Sequence, residues 1–181
     1  GYTFLGLDTG SSGGTKISTT TVVTKDITDY AQWSINSYTL TFNPNGGTVT
    51  PTSKDLEYNS AYGTLPTPTR ASDAQYTYTF AGWYTAATEG TQVTAATKMA
   101  AKDTTVYAHW TSNTRSYTVS YQTTYGTLNR TSQSVAYNSK GSCTLTMPDN
   151  TDEFTYTFVG WYTAANGGGT KVGSELTLET P

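Results

Sequence analysis

The chain holds little of what chemistry usually requires. Its 181 residues include one cysteine, Cys143, one histidine, His109, and 10 Lys and Arg against 13 Asp and Glu. A single thiol excludes an internal disulfide framework and a four-thiolate zinc site. A net charge of -3 excludes a basic footprint for nucleic acid. No apolar run approaches the roughly 20 residues that span a bilayer, so no membrane insertion is expected within this segment, and the first residues lack a signal-peptide pattern. Strong helix formers are scarce, which rules out a helical bundle or coiled coil. Small hydroxyls are what abounds, with 41 Thr and 16 Ser, joined by 15 Tyr. Thr and Tyr favour pleated, half-buried surfaces. The length fits one domain or two small ones.

The chain is a repeat, and repeats are sought before local structure because they decide the fold. Thr79-Phe80-Ala81-Gly82-Trp83-Tyr84-Thr85-Ala86-Ala87 returns as Thr157-Phe158-Val159-Gly160-Trp161-Tyr162-Thr163-Ala164-Ala165, with a weaker copy at Tyr2–Thr9. The glycines at 6, 82 and 160 lie 76 and 78 residues apart. Asp103–Trp110 matches Asp26–Trp33, and Tyr38–Phe42 matches Tyr117–Tyr121, at 77 and 79 residues. The phase divides the chain into 1–34, the second half of a repeat, 35–111, a complete repeat, and 112–181, a repeat that stops before its closing marker. The short polar joints Ser34–Ser37 and Ser112–Ser116 read as linkers.

Within the complete repeat, Tyr38, Leu40 and Phe42 alternate with Thr, which is strand period. Asn43–Gly47 reads as a turn, because Asn-Gly and Gly-Gly supply positive φ at little cost. Leu56 and Tyr58 predict a second strand, Tyr76–Tyr84 a third, and Val106, Ala108 and Trp110 a closing one. Residues 94–102 predict a short helical crossover. The expected class is mainly β, or small α+β, with four strands and that crossover in each repeat.

The order Tyr-Thr-Leu-Thr-Phe-Asn-x-Asn-Gly-Gly, Tyr-Gly-x-Leu-Pro-x-Pro, Phe-x-Gly-Trp-Tyr, Tyr-Ala-x-Trp resembles the Listeria–Bacteroides repeat, also called the internalin B-repeat. The resemblance covers nearly the whole chain. It implies β-grasp, ubiquitin-like domains in tandem, in secreted or cell-surface bacterial proteins where such repeats usually form stalks. The chain departs from the pattern at Leu7-Asp8, which replace Trp-Tyr, at Asp29, which stands where Val106 stands, and at Gln122–Gly126, which replace the Asn-Pro-Asn-Gly-Gly turn.

Each candidate for chemistry has a structural reading beside it. Trp83 and Trp161 could stack on sugars, but a tryptophan repeated at one place in a small core reads as a packing anchor. His109 corresponds to Gln32 and has no second His or Cys beside it, which suits an ordinary surface residue. Cys143 has no nearby His and reads as a buried thiol. Asp149–Glu153 clusters oxygens without EF-hand spacing and reads as a solvated loop. Gly10–Lys16 lacks the phosphate-loop order and has a counterpart at Ala165–Lys171, so it reads as a repeat turn.

The expectation is a non-enzymatic, extracellular segment of the bacterial surface, a stalk or spacer of an adhesin-like protein with no cofactor. Its repeat-core residues are Phe4, Trp33, Phe42, Phe80, Trp83, Trp110, Phe158 and Trp161. Its partners are neighbouring repeats of the same or adjacent chains. The alternatives are a module that binds host protein or glycan through exposed tyrosines, and a filament subunit assembled by strand exchange.

Overall fold

The computed structural model describes residues 1–172 and the backbone of Leu178–Glu179. The end of the expected third repeat, residues 173–177 and 180–181, lies outside the described residues. The chain forms two compact units, Gly1–Ser72 with Tyr78–Asn113, and Asp73–Thr77 with Thr114–Pro181. Both are mainly β.

The first unit begins with β1 (Tyr2–Asp8), β2 (Lys16–Ile17) and β3 (Tyr30–Ile35), an antiparallel sheet in the order β2-β1-β3. The complete repeat follows as β4 (Ser37–Asn43), β5 (Ser53–Glu57), β6 (Tyr76–Tyr84), β7 (Gln92–Val93) and β8 (Thr104–Thr114). Their order is β5-β4-β8-β6-β7. β4 runs antiparallel to β5 and parallel to β8, with Leu40 paired to Thr104 and Phe42 to Val106. The Thr/apolar alternation in β4 buries Leu40 and Phe42 and leaves Thr41 exposed.

Trp83 organises the core, which also holds Val106, Ala108, Tyr62 and Met99. Its ring lies 5.2 Å from Phe42 and 5.6 Å from Phe80, and its indole N–H donates to the Pro66 carbonyl at 2.8 Å. Trp110 sits 5.7 Å from Phe80 and donates to the Pro44 carbonyl at 3.0 Å. Residues three apart on a regular strand face opposite sides, yet Phe80 and Trp83 share this core. Gly82 permits it with φ of 143°, and its counterparts Gly6 and Gly160 have φ of 130° and 133°. A register shift between Phe4 and Gly6 marks the same irregularity in β1. A Cβ at Gly82 would also stand 2.6 Å from the Gln92 side-chain amide. This is why the glycine recurs. Burial pushes the Tyr62 phenol pKa up, with a hydrogen bond to Thr104 acting the other way.

The expected helical crossover at 94–102 is not a helix; it is a turn followed by extended chain. Its backbone groups are spent across the molecule. The carbonyls of Ala95, Thr97 and Met99 accept from Gly63, Tyr62 and Asn59, and the Met99 N–H donates to Ser60. Thr94 and Thr97 reinforce the turn, their hydroxyls accepting from Ala96 and Thr94 N–H groups. No helical ladder can form from groups already paired.

The second unit holds β9 (Ser116–Ser120), β10 (Thr127–Leu128), β11 (Ser132–Ala136), β12 (Leu145–Thr146), β13 (Trp161–Tyr162), a 3-10 turn at Ala165–Gly167, β14 (Lys171–Val172) and β15 (Leu178–Glu179). β9 pairs with β11 in the register by which β4 pairs with β5, Tyr117 facing Val135 as Tyr38 faces Leu56. Tyr121, Val135, Cys143 and Leu145 are buried. Trp161 packs 5.6 Å from both Tyr121 and Phe158, but its buried indole N–H has no acceptor among the described residues.

The eight expected core aromatics therefore fare unequally. Phe42 and Trp83 are buried, while Phe80, Trp110, Phe158 and Trp161 are half-buried. Phe4 and Trp33 depart from expectation, at 52% and 58% exposed, although they touch at 5.1 Å. Among the described residues no strand pairs with the outer edge of β3, whereas β4 and β5 extend the equivalent sheet beside β8. Trp83→Ala should accordingly cost about 3–5 kcal/mol in urea unfolding followed by circular dichroism. Trp33→Ala, which removes an exposed ring packed on Phe4, should cost about 1 kcal/mol.

Candidate functional site at the strand junctions

The joints expected to be linkers are almost entirely strand. Only Asn36 separates β3 from β4, and only Arg115 separates β8 from β9. Both residues have their backbone paired on two sides. In the first unit, the Asn36 N–H donates to the Gly1 carbonyl at 2.9 Å, and its carbonyl accepts from the Tyr58 N–H at 2.8 Å. In the second unit, the Arg115 N–H donates to the Gln75 carbonyl at 2.8 Å, and its carbonyl accepts from the Tyr137 N–H at 2.7 Å. One residue thus closes the ladder before it and opens the ladder after it. At Asn36, inside the first unit, a chain so paired cannot swivel without breaking backbone hydrogen bonds.

Side chains add to each junction. Thr3 donates its hydroxyl proton to Asn36 Oδ1 at 2.6 Å, and Tyr2 meets Tyr58 edge-on at 5.8 Å. The Arg115 guanidinium donates to the Asp73 carbonyl at 2.6 Å, and the Tyr117 hydroxyl donates to the Ala74 carbonyl. Asp73 in turn accepts from the N–H groups of Gln75 and Tyr76, which holds that turn in shape.

The other sequence candidates resolve into structural parts. His109 Nε2 lies 2.9 Å from the Ala86 carbonyl, so the tautomer protonated there donates to it, and the ring stacks on Tyr84 at 3.9 Å. Gln32, its counterpart, donates to the Gly10 carbonyl at the same distance. The two side chains pin the same repeat turn. That turn is closed in each copy by the same pair of threonines, Thr9 with Thr15, Thr85 with Thr91 and Thr163 with Thr170. The sequence marked this shared role only by spacing. Cys143 is buried, its Sγ 3.3 Å from the Arg130 carbonyl.

In the acidic loop, Asn150 and Thr151 accept backbone N–H groups of Tyr156 and Phe154. No group of three metal-ligating side chains occurs among the described residues. No helix among them is long and apolar enough to cross a membrane. Of the exposed tyrosines, Tyr2 and Tyr117 already serve the junctions, and Tyr125 leans on Tyr156 at 5.3 Å. The arrangement at each junction joins backbone to backbone.

Comparison with known proteins identifies the repeat. A family model described as the Listeria-Bacteroides repeat domain matches residues 38–109 and 117–179. Internalin H of Listeria monocytogenes is 42% identical over 116 residues, covering 62% of this chain and 20% of that protein. Two Evansella cellulosilytica proteins with membrane-protein names, one of them Gly-rich, are 32% and 30% identical over 144 and 170 residues. They match 77% and 90% of this chain, and 19% and 18% of their own lengths. The chain spans about a fifth of the length of these curated relatives. No solved structure matches it.

The two-sided pairing of the junction residue predicts a contrast between two substitutions. Asn36→Ala removes an exposed side-chain bond and should cost about 1 kcal/mol or less. Asn36→Pro removes the N–H given to Gly1 and should cost about 3 kcal/mol or more. Urea unfolding of the two variants checks this.

Proposed function

The chain belongs to the Listeria-Bacteroides repeat family, and from that membership we propose that it is a non-enzymatic spacer segment of a bacterial surface protein. The carrying observation is the junction residue. Asn36 and Arg115 each share their backbone between two ladders, so the repeats follow one another without a free linker. At Asn36, inside the first unit, this pairing leaves no freely rotating linker between one repeat and the next, which is what a stalk requires. The strand order of the complete repeat, second-first-fifth-third-fourth with the first and fifth parallel, supports reading each repeat as a β-grasp domain. Extended chain replaces the helical crossover at 94–102. Similarity to internalin H supports an extracellular, surface-attached setting for the adhesin-like whole.

The second reading, a binding module, rests on Tyr30 and Tyr125, which are exposed at 40% and 62%. Arrays of glycans and host surface proteins separate the two. A spacer gives no saturable hit. A hit abolished by Tyr30→Ala or Tyr125→Ala would replace the spacer with a receptor-binding module.

A further inference from the structure

The chain enters the complete repeat at Ser37, the start of β4, and leaves it at Thr114, the end of β8. These two strands are direct neighbours and run parallel, with Leu40 beside Thr104, Thr41 beside Thr105, Phe42 beside Val106 and Asn43 beside Tyr107. Tension along the chain therefore draws β4 back toward its beginning and β8 forward toward its end. The two pulls oppose each other along one axis. Such a load slides the strands past one another and strains every rung of the ladder together. A load applied to both strands at the same end would instead open the rungs singly. Hydrogen bonds that are individually weak resist well only when they must break at once.

Side chains lengthen this pair at both ends. Before the first backbone rung, the Thr39 N–H donates to Asp103 Oδ1 at 2.9 Å. Beyond the last, the Asn45 side-chain amide donates to the Ala108 carbonyl at 3.1 Å, and the Trp110 indole N–H donates to the Pro44 carbonyl at 3.0 Å. Each of these bonds joins the segment 39–45 to the segment 103–110, so each lies across the plane along which the strands would slide. The inner face of the pair is sealed, because Leu40, Phe42, Val106 and Ala108 are all buried. Sealing keeps water from one side of the rungs, and sliding would drag close-packed apolar side chains out of register.

We propose that the complete repeat is a load-bearing element, with the β4–β8 pair as its clamp and Asp103 and Asn45 as side-chain rungs that add to it. The proposal rests on the spacer reading for the source of the load, since a stalk anchored at one end and engaged at the other is pulled along its length. It goes further than that reading. A spacer needs only length, whereas this repeat keeps its length under tension. The turn after β4 then has a second use besides reversing the chain. Asn45, held at φ of 46°, gives its amide to the Ala87 carbonyl at 3.0 Å as well as to Ala108, and so ties the turn to the strand that takes the load.

Single-molecule pulling on the full chain tests this by changing only the direction of the load. Forced unfolding reads the barrier to rupture and not the equilibrium stability, so direction should matter. Every chain carries Cys143→Ser, which leaves the introduced thiols as the only handles. One chain has Ser37→Cys and Ser112→Cys, at opposite ends of the pair. The other has Ser37→Cys and Lys102→Cys, at the same end. All three positions are exposed, so the circular dichroism spectrum should not change. The first chain should rupture at a force several-fold above the second. Asp103→Ala should lower the force of the first chain, and Asp103→Asn, which keeps the acceptor oxygen, should restore it. Asn45→Gly, which suits a positive φ, should lower the force of the first chain and spare the second, where the rungs open from the far end. Equal forces in the two directions would overturn the clamp and leave the spacer reading standing, since the binding arrays decide that separately. An equal fall in both directions for Asn45→Gly, or no rescue by Asp103→Asn, would overturn the role of that side chain as a rung.

Discussion

The parallel pairing of β4 with β8 is the interaction on which the rest of the structure depends. It joins the first strand of a repeat to its last, across more than 60 residues of intervening chain, and it closes the sheet around Trp83. Leu40, Val106 and Ala108 reach complete burial only because that pair forms. The first sheet of the chain shows what happens without it. β1 and β3 pair correctly, the repeat turn closes through Thr9 and Thr15, and Gln32 pins it, yet Phe4 and Trp33 stand in solvent. Local geometry is thus intact in that sheet, while its aromatic pair stays largely exposed. A small domain has little apolar area in reserve, so closing the sheet decides its stability.

The same backbone logic extends from one repeat to the next. Each closing strand runs on through a single residue into the following first strand, and that residue is paired on both sides. Stability in such arrays is shared between neighbours as well as held within each repeat. The abundance of Thr then has a plain cause. Its branched side chain suits the outer faces of strands, and its hydroxyl closes the turns at Thr9, Thr85, Thr94 and Thr163.

Much of this was legible in the sequence, for reasons that particular residues make clear. The alternation of Tyr38, Leu40 and Phe42 marked β4, because one face of that strand is buried. The periodic glycine before Trp83 marked the repeat by its spacing, but the irregularity it allows in the strand left no sign in the alternation of Tyr76–Tyr84. Residues 94–102 misled, since Ala and Lys favour helix locally while the backbone of 59–63 captured their carbonyls from a distance. β7, at two residues, is too short to carry a period. The junctions were hidden for another reason. Asn36 and Arg115 look like linker residues because their partners, Gly1, Tyr58, Gln75 and Tyr137, contribute backbone groups, which leave no mark on side-chain identity. Trp33 read as core because its spacing matches Trp110, and spacing does not report what lies across the sheet.

Native-state hydrogen exchange of the whole chain tests the central claim most directly. If closure by β4 and β8 sets stability, amides in Leu40–Asn43 and Thr104–Tyr107 should exchange only by the largest opening of the first unit. Amides in β1 and β3, in the same unit but without such a pair, should exchange through smaller openings and much faster. Equal protection in the two sheets would contradict the account, because the sheet without a parallel pair would then be as stable as the closed one.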